Sequence, residues 1–465
     1  MKRCILITAL ILGCLALASG HIGQSGNSCA AQNVILIVVD TLAAQNLGCM
    51  GYQRDTSPFI DELANRSVIF DKAYTPKSTT VPSVTSLFSG LHPSRHGILE
   101  NGGNLPDDLH FLTDDFRKSG FTTWGVPAAR VLGAQYGLSK GFDYYANTPA
   151  IPHPASRVIE RIDRILTGKP ALGEPDFTKT RKPLFLFIHF YDPHTEYTPD
   201  PAILENFTDP DYSGIANGTW EQFEKYNNYE IEFSAADIRH SRDLYDAEIR
   251  TFDDRARELF ELFDRVGLID NSIIVFTADH GENLGEHHFF THGHPYEPSL
   301  HIPLIIHFPE DRWAGTRIEE IVENTDIMPT LMDLADVKIP ENLSGRTLLP
   351  LIDNSVPYDY EARECLFAIG DSGGKDRTYS ICDGMYRLTV DISSSGEVDY
   401  RKGLNLFDIV ADPKESVDIA DTDHNELIRL APLLTDYLTA SNDPVESEIS
   451  PDTRAMLLSI GYIQN

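Results

Sequence analysis

Three stretches of the chain are apolar almost without a break, and each runs into acid or histidine. They are Val34–Val39 before Asp40, Leu184–Phe190 before Asp192 and His194, and Ser272–Thr277 before Asp279 and His280. Uninterrupted aliphatic runs of this length predict strands buried on both faces, as in a parallel sheet. Ile302–Phe308 predicts a further strand. Between these runs the period changes. Residues 58–70 predict a short amphipathic helix and a strand, Leu109–Lys118 a helix that Gly120 stops, and Phe121–Val126 a strand. Asp237–Val266 predicts a long, charge-dense outer helix without chemistry of its own, and the Pro-rich stretch 145–182 predicts an irregular rim loop or lid. From about residue 355 the pattern becomes short and alternating (Leu366–Ile369, Tyr379–Cys382, Tyr386–Val390), closing with a helix over Glu426–Leu438. The expected fold is α/β: a mixed, mostly parallel central sheet flanked by helices over residues 33–354, with a small antiparallel α+β subdomain over 355–465.

The first residues read as address. Lys2 and Arg3, the apolar run Cys4–Ala18 and its small-residue end predict a signal peptide over 1–18, followed by a polar linker at 19–32. Cys14 after Ile11-Leu12-Gly13 leaves lipoprotein processing open. No later run is apolar enough to span a bilayer, so the expected product is periplasmic or secreted, with an N-terminal lipid anchor as the variant. The formal charge of −32 excludes nucleic acid and anionic lipid as bulk partners, and a handled anion needs a local metal or helix terminus. A salt-rich habitat accounts for the acidity equally well. Export permits disulfides; Cys365 and Cys382 lie on neighbouring strand-like segments and form the candidate pair, with free buried thiols as the alternative.

Lys77–Gly97 concentrates hydroxyls: Ser78, Thr79 and Thr80, then Pro82 and Ser83, then an apolar-periodic run closed by Gly90. This reads as a loop that brings a hydroxyl to a helix start with Ser83 as cap, where backbone N–H groups hold an oxyanion; an ordinary capped loop gives the same pattern. Asp40, at the carboxyl end of a buried strand, stands where open α/β sheets bind ligands, or caps a following helix. Asp279-His280 at another strand end is a metal-binding pair of carboxylate and imidazole. Six of the sixteen histidines fall between 280 and 301, too concentrated for a merely solvated loop. His189, inside its strand, reads as a core histidine, and residues 200–232, aromatic and acidic, as the wall that selects substrate.

Thr80-Val81-Pro82-Ser83, Ser89-Gly90 and Pro93-Ser94-Arg95-His96-Gly97 together resemble the sulfatase signature, within the alkaline-phosphatase superfamily. The resemblance continues through Asp40-Thr41-Leu42, Leu47–Tyr52, Thr56-Ser57-Pro58, Asp192-Pro193-His194, Asp279-His280-Gly281-Glu282, His292-Gly293-His294, His301-Ile302-Pro303, Asp326–Leu331 and Ser344–Leu348. It departs at Gln45, a position that is often acidic, and in four further places. Thr80 stands at the nucleophile position, which sulfatases fill with a Cys or Ser matured to formylglycine. Val84 replaces the signature Arg, Thr41 replaces a second metal-binding Asp, and Trp124-Gly125-Val126-Pro127 lacks the Lys of a neighbouring motif.

The resemblance implies one divalent ion (Ca, Mn, Zn or Mg) held by Asp40, Asp279, His280 and Thr80. Thr80 would be the nucleophile. His194 and one of His292 or His294 would bind the transferred group or protonate the leaving oxygen, and Ser83 and His194 would contact substrate. A threonine cannot become an aldehyde, because its Cβ already carries a methyl, so the sulfate-expelling route of formylglycine is closed. The expected activity is hydrolysis of a phosphate mono- or diester of a small molecule, glycan or lipid. A sulfuric ester hydrolase and a catalytically inactive binding relative are the alternatives.

Overall fold

A computed structural model describes residues 33–102, 105–148, 152–371, 376–393 and 404–440; the expected signal segment 1–18 and linker 19–32 lie outside the described residues. Among the described residues ten strands precede the C-terminal sheet: β1 Asn33–Val39, β2 Val68–Tyr74, β3 Thr122–Val126, β4 Tyr144–Tyr145, β5 Leu184–Phe190, β6 Ser272–Ala278, β7 Asn283–Leu284, β8 Phe290–Thr291, β9 His301–His307 and β10 Thr316–Glu323. All but β7 and β8, which form their own two-stranded ribbon, join in one sheet of order β10-β2-β9-β6-β1-β5-β3-β4. From β6 to β4 the pairs are parallel; β9 runs against both of its neighbours. Every residue of β1, β5 and β6 is buried, which is why their sequences carry no polar alternation.

The longer helices include α1 Pro58–Asn65, α2 Thr80–Ser89, α3 Ala155–Leu166, α4 Trp220–Asn227, α5 Ala235–Arg265, α6 Ile327–Leu334 and α7 His424–Ala440. The Pro-rich stretch expected to be irregular contains α3, whose Val158, Ile159, Ile162, Ile165 and Leu166 are buried along one face. Proline falls outside that helix, at Pro154 before its start, where it does not interrupt the hydrogen-bond ladder. Helix α5 is also more than a solvated outer helix. A capping box at Ser234 and Asp237 starts it, and Asp246, Tyr245 and Asp253 are fully buried. The Asp253 carboxylate accepts the N–H groups of Phe59 and Ile60 at 2.9 and 2.8 Å, covering orphan donors at the start of α1.

The second sheet is antiparallel, in the order β11 Leu366–Asp371, β12 Arg377–Cys382, β13 Tyr386–Ile392 and β14 Leu404–Asp408. Ile369, Tyr379, Ile381 and Leu388 pack with Leu430 and Leu434 of α7 in a separate apolar cluster. A buried ion cluster fastens this sheet to the main body. Arg387 reaches Glu297 at 2.5 Å and Glu415 at 2.8 Å, and Tyr74 donates to Glu297 at 3.1 Å. Of the two alternatives for Cys365 and Cys382, free thiols hold: β11 and β12 pair Leu366, not Cys365, opposite Cys382. No helix among the described residues is long and apolar enough to cross a membrane.

Candidate active site

The parallel register sets the site. β1 pairs with β6 and β5 so that Val39 lies beside Ala278 and Phe190, and the next residue, Asp40, extends the ladder by donating its N–H to the Phe190 carbonyl at 3.0 Å. Asp40 and Asp279 therefore leave adjacent strands at the same level, at the carboxyl edge where such sheets bind ligands. His280 follows, its Nε2 3.7 Å from Asp40 and 3.6 Å from Asp279. His280 Nδ1–H donates to the Gly281 carbonyl at 3.0 Å, which leaves a lone pair on Nε2.

His189 departs from the expectation of a satisfied core residue. It is fully buried, both ring nitrogens lack a hydrogen-bond partner, and Nε2 lies 3.8 Å from Asp40 Oδ2. Asp40, His189 and Asp279 form a group whose donor atoms lie within 4.8 Å of one another. Sequence spacing gave no sign of this, because a histidine inside an all-buried strand looks the same whether it faces packing or a ligand.

Thr80 is the first residue of α2, and its Oγ sits 3.5 Å from His280 Nε2. The helix start does not work as expected. Ser83 is inside the helix and caps nothing; its buried hydroxyl donates to the Asp279 carbonyl at 2.6 Å and accepts from Asn324 Nδ2 at 2.9 Å. Ser83 thus braces the Asp279-His280 turn, and its hydroxyl is spent inside the protein. Of the N–H donors in the first turn, Val81 donates to Asn101 at 2.8 Å, Pro82 has none, and Ser83 makes the ordinary helical bond to Thr79 at 3.1 Å, so Thr80 carries the N–H of this turn that could face an oxyanion.

His194 and His292 come together, with ring centroids 5.0 Å apart, and His292 lies 4.5 Å from His280. His194 Nδ1–H donates to the Thr195 carbonyl at 2.6 Å, while His292 Nδ1 faces Glu282 at 3.5 Å. His294 is placed differently: its ring contacts Phe289 at 4.2 Å, and its carbonyl accepts from Ser78 and Ser299. Of the two expected histidines, His292 joins His194 and His280.

Two further residues belong to the site. Thr41 adopts a left-handed backbone (φ 57°), uncommon for a β-branched residue, and Tyr245 of α5 holds it by donating to its carbonyl at 2.6 Å. Lys77, three residues before Thr80, is fully buried and paired with Asp371 of β11 at 2.7 Å. Asp371 in turn donates its N–H to the carbonyl of Gly293, between His292 and His294, at 2.8 Å. A pairing across 294 residues of sequence carries no local signal.

The electrostatics are those of a site short of positive charge. Burial, then Asp279 and Glu282, pushes the Asp40 carboxyl well above the usual range, and burial likewise raises Asp279 and Glu282. Burial lowers His189 to about 3 and His280 and His292 to about 4, so the imidazoles are neutral donors of electron pairs. Asp40 Oδ1, Asp279 Oδ2, both Glu282 oxygens and both His189 nitrogens are buried without a hydrogen-bond partner. Orphaned groups at this density are costly unless a ligand satisfies them, and this mixed carboxylate–imidazole set fits a divalent cation.

A carboxylate–imidazole cluster at the carboxyl edge of a mostly parallel sheet, with a hydroxyl at an adjacent helix start, defines an alkaline-phosphatase-like hydrolase scaffold. Residues 32–337 match the sulfatase family profile, and residues 285–440 match that of the N-sulphoglucosamine sulphohydrolase C-terminal region. The chain belongs to the sulfatase family. It is 25% identical over 451 residues to an arylsulfatase of Clostridium perfringens, covering 84% of this chain and 90% of that one. It is 23% identical over 464 residues to an N-acetylglucosamine-6-O-sulfatase of Bacteroides thetaiotaomicron, covering 82% and 81%. The crystal structure of a phosphonate monoester hydrolase of Agrobacterium radiobacter superposes with a TM-score of 0.69 at 19% identity, covering 87% of this chain and 94% of that one.

Proposed function

We propose that this sulfatase-family hydrolase cleaves a phosphate mono- or diester through Thr80, by transfer of the phosphoryl group to Oγ and hydrolysis of the resulting ester. The supporting observation is the placement of the Thr80 hydroxyl 3.5 Å from the lone-pair nitrogen of His280, itself bracketed by Asp40 and Asp279. Asp40, Asp279, His280 and Thr80 would hold the cation, with His189 as the neighbour that sequence did not indicate. A bound divalent ion would offset the buried carboxylate charge and lower the pKa of the Thr80 hydroxyl. Thr80 Oγ then forms a P–O bond as the ester P–O bond breaks. Neutral His292, beside His194 at 5.0 Å, would take up the proton that Thr80 Oγ releases and pass it to the departing oxygen. Water then attacks phosphorus in line, its proton is taken by the same imidazole and returned to Oγ, and the P–Oγ bond breaks to regenerate threonine. On this reading residues 33–354 are the catalytic part, 355–465 the appended subdomain, and residues 1–18 direct export to the periplasm or beyond.

The names of the sulfatase relatives favour a second reading, a sulfuric ester hydrolase. Thr80 stands against it, since a sulfated threonine lacks the collapse to an aldehyde. Metal-loaded protein is incubated with an aryl phosphate monoester, an aryl phosphodiester and an aryl sulfate, beside Thr80→Ala and Thr80→Ser. The expected result is turnover of a phosphorus ester that falls by about 10³-fold or more in Thr80→Ala and survives in part in Thr80→Ser. Thr80-dependent release of sulfate alone establishes the second reading, and absence of turnover on all three supports a binding relative.

A further inference from the structure

We propose that Trp220 forms the floor of a leaving-group subsite that selects esters of uncharged, ring-bearing alcohols, aryl or pyranose, over linear or additionally anionic ones. The proposal rests on the functional reading above. A ladder of rings leads outward from the nucleophile. His280 Nε2 lies 3.5 Å from Thr80, His292 is 4.5 Å from His280, and His194 is 5.0 Å from His292. Trp220 comes next, 6.2 Å from His194 with the planes 6° apart, and 6.1 Å from His292. Tyr191 stacks on His194 at 4.4 Å and fixes the ladder.

Exposure rises along the same path, from the fully buried His280 to Trp220 at 37%. The indole is not spent on the core of its own helix: Phe223 and Tyr226 fill that face of α4 and are buried. A flat apolar ring left open beside the pair that protonates the leaving oxygen suits a flat or CH-faced ring. The surroundings suit an uncharged one. Glu221 and Glu224 of α4 and Glu196 before it are exposed, and the nearby cation Lys225 is already held by Glu221 at 2.6 Å. An extra anionic group on the ring meets repulsion there.

The test uses metal-loaded full-length protein with phosphate and sulfate esters of phenol, of ethanol and of a sulfonated phenol. In Trp220→Ala, kcat/KM for the phenyl ester is expected to fall about tenfold, mostly through KM, with less than a twofold change for the ethyl ester. Trp220→Phe should retain most of the phenyl preference, and the sulfonated phenyl ester should be poorer than phenyl in wild type. Equal losses for phenyl and ethyl, or a preference for the sulfonated ring, overturn the proposal. Independently of turnover, phenyl phosphate should quench tryptophan fluorescence of Thr80→Ala but not of Thr80→Ala/Trp220→Phe. That difference in protein with no turnover on any ester would retain the subsite and reject the hydrolase reading; no difference rejects the subsite.

Discussion

At the scale of the residue, the site depends on groups that have no partner in the protein alone. Asp40, Asp279 and Glu282 carry raised carboxyl pKa values from burial, and His189, with both ring nitrogens unsatisfied, brings Nε2 to 3.8 Å from Asp40. Lys77 is the opposite case: its partner among the described residues, Asp371, also grips the loop that carries His292. The pair ties the Thr80 segment to the His292 loop, which on the proposed reading carry the nucleophile and the proton. Lys77→Met leaves Asp371 with Arg377 at 3.4 Å and loosens that tie. Displacements of about 1 Å in reacting groups cost about 10²-fold in rate. Lys77→Met is therefore expected to lower kcat by about 10- to 100-fold while KM moves less, as steady-state kinetics beside wild type will show.

At the scale of the element, helix α5 carries a buried acid whose titration is visible in stability. The Glu248 carboxylate accepts the Thr198 N–H, and burial raises its pKa from 4.5 to about 8. The folded protein thus keeps a proton that the unfolded chain releases above pH 4.5, so this contribution is complete below 4.5 and is lost as pH rises through about 8. Glu248→Gln keeps an acceptor for Thr198 and removes the charge. Its melting temperature should exceed wild type by about 2–4 °C at pH 9 and by little at pH 5. A uniform offset across that range would exclude this role.

Elements also show what sequence could and could not reveal. The uninterrupted strands β1, β5 and β6 declared themselves, and with them the strand-end positions of Asp40, Asp279 and His280, because burial on both faces erases polar alternation. Helix α3 was hidden by the prolines around it, although its buried positions keep helical spacing. His189 and the Lys77–Asp371 pair were hidden for a different reason: which face a buried strand residue meets, and which distant strand it pairs with, are settled only by packing. The cap expected at Ser83 was misplaced by one turn: the helix starts at Thr80, and Asn101 takes the Val81 N–H.

At the scale of the whole molecule, a formal charge of −32 and three buried acids at one point make the apo protein electrostatically unfavourable there, and a bound cation couples to folding. An ion present at 100 times its dissociation constant stabilises by about 2.7 kcal/mol. Chelation should lower the melting temperature of wild type, and should leave Asp40→Asn/Asp279→Asn unmoved, in paired calorimetric scans with and without EDTA. The most direct measurement is anomalous X-ray scattering from crystals grown with manganese. The expected result is a single strong peak bonded to Asp40, Asp279 and His280 and adjacent to Thr80 Oγ, weakened or lost in Asp40→Asn. A manganese peak elsewhere, with none at these residues, would contradict a metal-assisted threonine nucleophile.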